Sequence, residues 1–207
     1  MNQSLRMKKI TIVFNLLLFT TITLGQQIIK SGEYDNGLRL AYDSDSKKIT
    51  GYFESYTGWD EETKASRFSC VFYIEGNIIG QKAIIKTYYP EDKNEDIIEG
   101  YLEAINGEAV NIKLPEEHGG CWNVQHFADK PEKFDLQKSS NWLQIRYVNT
   151  NKSYFYKEKS NDKKLKSYLI KGDIVFIEKL EDEWAFCSYF GKKTTKAWLK
   201  ISDLNKL

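Results

Sequence analysis

Apolar and polar positions alternate in brief runs along most of this chain, and nearly every run ends on a turn signal. Residues 32–42 (GEYDNGLRLAY) read as a β-hairpin around Asp35-Asn36-Gly37, where glycine tolerates the positive φ of a tight turn. Residues 49–55 alternate Ile49, Gly51 and Phe53 against Thr50, Tyr52 and Glu54, which predicts a strand. A polar loop with Trp59 in its middle is expected over 57–66. Residues 67–75 (RFSCVFYIE) form the strongest strand, with a turn expected at Gly76-Asn77 and a return over 80–89. Residues 90–95 are a second polar loop. Residues 98–114 make a hairpin around Asn106-Gly107. A loop over 115–120 leads to residues 121–127, and residues 134–136 are a short strand. Residues 141–149 (NWLQIRYVN) alternate again. They either close this first domain or lead into a second, and Asn-Thr-Asn-Lys at 149–152 breaks the pattern.

The last third repeats the theme more tightly. Strands are expected over 153–156, 164–170, 174–179, 184–190 and 195–201. Turns fall at Lys171-Gly172-Asp173, Glu181-Asp182-Glu183 and Gly191-Lys192-Lys193. No segment keeps apolar residues at helical spacing, and only 61–66 and 202–207 could hold a helical turn. The expected fold class is therefore all-β: an antiparallel barrel or sandwich over 26–149, then a small barrel over 150–207.

The C-terminal region resembles the bacterial SH3 (SH3b) family. The matching residues are Tyr168-Leu169, the Lys171-Gly172-Asp173 turn before Val175, Trp184 followed by Phe186, Tyr189-Phe190-Gly191, Ala197-Trp198-Leu199 and Leu204. The resemblance implies an SH3-like barrel that binds a cell-wall glycan or peptide, or an envelope protein.

Residues 1–25 change the picture of where the chain works. Arg6, Lys8 and Lys9 precede an apolar run from Ile10 to Leu24, and Thr23-Leu24-Gly25 places small residues at alternate positions. That is the plan of a signal peptide cleaved near Gly25, leaving about 180 residues and no membrane span. The expected location is periplasmic or secreted. The formal charge of +1 becomes about −2 once those three bases leave, so no general attraction to nucleic acid is expected. An oxidising compartment favours disulfides. Of the three cysteines, Cys70 and Cys121 are expected to pair, and Cys187 to stay a buried free thiol.

Four sets of residues suggest chemistry. His118-Gly119-Gly120-Cys121 resembles the His-Gly-Cys-like nucleophile motif of L,D-transpeptidases, and a Cys nucleophile needs a nearby imidazole. His118, Cys121 and His126 could offer metal ligands, but their spacing matches no closed zinc pattern, so no metal and no cofactor are expected. The acidic pairs Glu61-Glu62, Glu91-Asp92 and Glu116-Glu117 place neighbours on opposite sides of an extended chain, which makes no glycosidase dyad. Last are the aromatics Tyr154, Tyr156, Tyr168, Trp184, Tyr189 and Trp198. Trp184 and Trp198 are expected mainly inside, with Tyr154, Tyr156 and Tyr189 more exposed. Rings beside a groove stack on sugars or grip an extended peptide. The expected ligand-binding set is Tyr154, Tyr156, Tyr189 and Trp198.

These observations point to an exported, non-enzymatic binding protein. Two alternatives stand beside it. One is an inhibitor or immunity-type protein that blocks a secreted enzyme, such as a muramidase, with the Trp59 segment as plug. The other is a Cys-dependent wall hydrolase or transpeptidase using Cys121 and His118.

Overall fold

The structure is a computed structural model that describes residues 29–90 and 96–207. The leader expected over 1–25, with its cleavage site, lies outside the described residues. The fold is all-β. Eight antiparallel strands close into a barrel in sequence order: β1 (Gly32–Tyr34), β2 (Leu38–Asp43), β3 (Lys48–Asp60), β4 (Ala65–Ile79), β5 (Lys82–Tyr88), β6 (Ile98–Ala104), β7 (Ala109–Lys113) and β8 (Glu132–Ser139), which returns to β1. A barrel of this size is filled by its own side chains. Leu38, Leu40, Phe53, Phe72, Ile74, Ile85, Leu102, Ile112 and Phe134 belong to that filling.

The segment between β7 and β8 supplies a plug. Phe127 inserts between Phe53, Phe72 and Phe134, with ring centroids 5.0, 5.2 and 6.0 Å apart. Removing a ring of that size from water stabilises the barrel by about 2–3 kcal/mol. Cys121, at the start of a short 3-10 turn in the same segment, is bonded to Cys70 of β4 across 51 positions of sequence.

Six further strands form a second antiparallel sheet: β9 (Gln144–Tyr147), β10 (Ser153–Tyr156), β11 (Lys164–Leu169), β12 (Ile174–Glu181), β13 (Trp184–Phe190) and β14 (Thr194–Lys200), in the order β11-β10-β14-β13-β12-β9. Residues 144–147 thus belong to the second unit, so the boundary expected at 149 is corrected to a point before Gln144, because β9 pairs with β12 and not with a barrel strand. One face of this sheet gathers Val148, Phe155, Leu169, Val175, Ile177, Ala185, Cys187 and Leu199 into its own core. At β9 and β12 the opposite face packs on the outer wall of the barrel. There Trp142, Ile145, Tyr147 and Phe176 join Ala41, Tyr73 and Tyr88 in a third cluster.

Two expectations need correction. Residues 57–66 are not a loop: β3 and β4 stay paired as far as Asp60 and Ala65. The pair runs past its neighbours, because β2 follows β3 only to Phe53 and β5 joins β4 only from Tyr73. The result is a two-stranded arm, and residues 54–60 alone span about 23 Å at strand rise. Gly76-Asn77 is not a turn either. A side chain at Gly76 would collide with the carbonyl oxygen of Ile84, so this glycine permits close strand approach. The chain reverses later, at Gly80, which has φ of 69°.

Candidate functional site

The free part of the second sheet's outer face collects aromatic rings. Register sets this up. Tyr156 of β10 faces Trp198 of β14, and Trp198 faces Phe186 of β13. The Phe186 and Trp198 rings lie 5.2 Å apart. Trp184, two positions before Phe186, turns its ring edge-on to Tyr156 at 4.8 Å. Tyr154 pairs with Tyr168 of β11, with centroids 5.6 Å apart.

Lysines stand over these rings. Lys164 Nζ sits 3.5 Å from the Tyr154 centroid, Lys152 Nζ 4.7 Å from Tyr168, and Lys159 Nζ 5.6 Å from Trp198. Lys200 Nζ lies 5.7 Å from Trp184 and 6.0 Å from Tyr156. Ammonium groups at these distances are held by the negative faces of the rings. Glu178 and Glu181, which border the region, are both paired. Glu181 meets Lys159, and Glu178 accepts from Lys196 at 2.7 Å and from Ser188 at 2.6 Å. Burial pushes the Glu178 carboxyl up, but hydrogen bonds from Lys196 and Ser188 outweigh it, and it stays below the usual range. Lys152, Lys164 and Lys200 form no ion pair among the described residues.

Of the four residues expected to bind ligand, the structure brings three together: Tyr154, Tyr156 and Trp198. Tyr154 and Trp198 are half-buried. Tyr156 is not the exposed ring expected, at 7% exposure, because it packs against Trp184, itself 5% exposed. Tyr189 is not part of this group. It packs on the sheet's inner core and reaches Asp173 Oδ1 at 3.4 Å. There it borders a cleft of about 250 Å³ against the barrel, lined also by Arg39, Tyr52, Glu54 and Phe190. Sequence reasoning missed Phe186 and the lysines. Their spacing along the chain is irregular, and only the strand register shows that they converge.

The histidine–cysteine motif has another role. Cys121 is bonded to Cys70, so position 121 offers neither a nucleophile nor a metal ligand. His118 is 3% exposed and stacks on Phe72 at 4.9 Å. Thr87 Oγ1 donates to the Ile98 carbonyl at 3.0 Å. Its one proton is therefore used, and it accepts from His118 Nε2–H at 2.7 Å. Burial drives the imidazole down to about 4, against a small opposing pull from Asp96, so it is neutral at pH 7. His126 lies apart beside Asp129. No group of three or more His, Cys, Asp or Glu among the described residues is placed to hold a metal ion.

The arm is a second exposed aromatic region. Trp59 is 59% exposed on the arm and Trp122 61% exposed beside its base. The arm is braced by the disulfide, by Thr57 Oγ1 donating to the Asn123 carbonyl at 2.8 Å, and by Gly120 closing against the Ser69 carbonyl. Its tip is tied internally, since Arg67 pairs with Asp60 at 2.6 Å and Trp59 Nε1 donates to Glu61 at 3.0 Å.

Charge divides between the units. Residues 26–140 hold 21 acids against 13 bases, and residues 141–207 hold 14 bases, Arg146 and 13 lysines, against 8 acids. Comparison with protein-family models, with curated proteins and with solved structures found no match.

Proposed function

We propose that the chain is an exported, non-enzymatic binding protein. Its ligand, a cell-wall component or an envelope protein, rests on the outer face of the second sheet. The observation that carries this reading is the convergence of Tyr154, Tyr156, Tyr168, Trp198 and Phe186 on one face under four lysines. Partly exposed rings offer apolar faces for sugar or peptide, and the lysines confer orientation. The Cys70–Cys121 bridge supports a life outside the reducing cytosol. The test is retention on purified peptidoglycan and on immobilised envelope extract. Wild type is retained on one of them and Trp198→Ala is released at lower competitor concentration. No retention on either, or equal retention of the variant, overturns the reading.

The braced arm favours a second reading, an inhibitor or immunity-type protein that inserts Trp59 into the cleft of a secreted enzyme. Under it, Trp59→Ala abolishes inhibition of a lytic enzyme from the same envelope and leaves wall retention unchanged. An effect of Trp59→Ala on wall retention alone rules it out.

A further inference from the structure

We infer that the ligand of the outer face is an anionic glycan, a strand of sugars bearing carboxylate groups, held by Lys152, Lys164 and Lys200 against the rings of Tyr154, Tyr168 and Trp198. This rests on the proposed binding role of that face and adds its chemistry. Three observations support it. Glu178 and Glu181 are held in ion pairs with Lys196 and Lys159, and Lys152, Lys164 and Lys200 form no ion pair among the described residues. The unit that bears the face has a net charge of +6 by its 14 bases and 8 acids, whereas the barrel unit, with 13 bases and 21 acids, has −8. The ammonium groups also stand on the rings rather than away from them, 3.5 Å from Tyr154 and 4.7 Å from Tyr168.

A sugar acid matches both parts. Its C–H face stacks on the open portion of a ring, and its carboxylate meets the ammonium beside that ring. The acidic barrel repels such a strand, which directs it across β10, β11 and β14 and away from the docked edge at β9. A neutral glycan leaves the lysines without partners. Nucleic acid needs a longer run of charge than three free lysines supply, because its affinity grows with each neutralised phosphate.

The test is affinity of the purified protein for polygalacturonate over a salt series, beside the same polymer fully methyl-esterified and a single-stranded oligonucleotide of equal charge. The expected result is binding to polygalacturonate that weakens with salt, and loss of binding on esterification. The triple variant Lys152→Gln/Lys164→Gln/Lys200→Gln should bind about 100-fold more weakly, at about fivefold per lysine. Its melting midpoint should not change. The barrel variant Lys82→Gln/Lys86→Gln/Lys138→Gln should bind as wild type does. Trp198→Ala should weaken binding without changing the salt dependence. Equal binding of the esterified polymer overturns the anionic ligand but leaves the face as a binding site. Equal or tighter binding of the oligonucleotide overturns the glycan. No binding to polygalacturonate overturns the inference, while retention on peptidoglycan then still upholds the broader reading. Full affinity in both the triple variant and Trp198→Ala overturns the two together.

Discussion

Tyr73, on the outer wall of the barrel, donates its hydroxyl to the carbonyl of Ile145 in the edge strand β9, at 2.8 Å. The N–H of the same residue donates to Thr50 Oγ1 at 2.7 Å. Both backbone groups that Ile145 points off the sheet are therefore met by barrel side chains. Tyr147 is served the same way, its N–H donating to Asn205 Oδ1 at 3.0 Å and its carbonyl accepting from Asn205 N at 3.0 Å. A free sheet edge invites pairing with another chain, and here it is consumed by docking. Gln144 Nε2 donates to Asp43 Oδ2 at 3.0 Å, and the rings of Tyr73, Tyr88 and Tyr147 close the seam. Burial raises the Tyr73 phenol above its ordinary pKa, so it remains a donor at any physiological pH.

Tyr73→Phe should therefore destabilise the whole molecule. It leaves a buried carbonyl without its donor, at a cost of about 1–3 kcal/mol. Thr50→Val should cost a similar amount by orphaning the Ile145 N–H. Urea unfolding followed by tryptophan fluorescence checks both, and a single transition is expected. If Tyr73→Phe instead unfolds at the wild-type midpoint, the hydrogen bond does not hold the seam as described.

The sequence marked the elements whose signals are local. Asp35-Asn36-Gly37 turns the chain with Asn36 at φ 53° and Gly37 at φ 89°, and Gly107 at φ 76° closes the Asn106-Gly107 hairpin. The Cys70–Cys121 pair was legible because two cysteines fell in one domain. The arm was not legible. Alternation identifies a strand by its dry face, and beyond Phe53 the arm has little dry face to show, so its Thr, Gly and Glu residues resemble a loop. The outer face was legible only in part. Tyr154, Tyr156 and Trp198 stood out as aromatics, whereas Lys152, Lys164 and Lys200 come from β11, β14 and the approach to β10, and their meeting depends on register. Tyr189 was misplaced for the same reason: in β13 it alternates with Phe186 and Phe190, so it turns to the inner side.

His118 should give the fold a pH dependence. Its folded pKa, about 4, lies below its ordinary value of 6.5. Stability from the neutral imidazole is complete above 6.5 and is lost as pH falls toward 4, because the unfolded chain binds the proton more readily. The slope in that window reaches about 1.4 kcal/mol per pH unit. Asp43 and Glu178 act lower, since hydrogen bonds hold both beneath the carboxylate range despite partial burial. Denaturation midpoints at pH 7, 6, 5 and 4.5 should fall steadily in wild type and stay flatter in His118→Gln, whatever the variant's absolute stability. Parallel curves would show that His118 is not the group that titrates.

The thiols should divide cleanly. Non-reducing mass spectrometry should find one bridge between Cys70 and Cys121, and Cys187 unreactive toward iodoacetamide until the protein is denatured. Cys187 is fully buried, with Sγ 3.5 Å from the Ala197 carbonyl, and burial with the nearby Glu178 pushes its thiol up to about 12. Removing the bridge by Cys70→Ser/Cys121→Ser should cost about 4 kcal/mol on the chain-entropy estimate for a loop of 51 residues. A variant that melts within a degree or two of wild type would contradict that.

The bridge should matter most to the arm. A two-stranded ribbon alone in water is marginal at best, and residues 54–60 and 65–71 pair only with each other. What holds them is the turn at Cys121–Asn123, fixed to β4 by the sulfur bond and to β3 through Thr57. Hydrogen exchange in the oxidised protein should rise gradually from Phe53 and Phe72 toward Asp60 and Ala65. After reduction under native conditions, amides of 54–60 and 65–71 should exchange together and at least tenfold faster, as one unit released from its brace. The amides of β6 and β7, joined by their own hairpin, should change far less. Uniform acceleration over the whole barrel would mean that the bridge secures the closed sheet as a body and that the arm has no separate dependence on it.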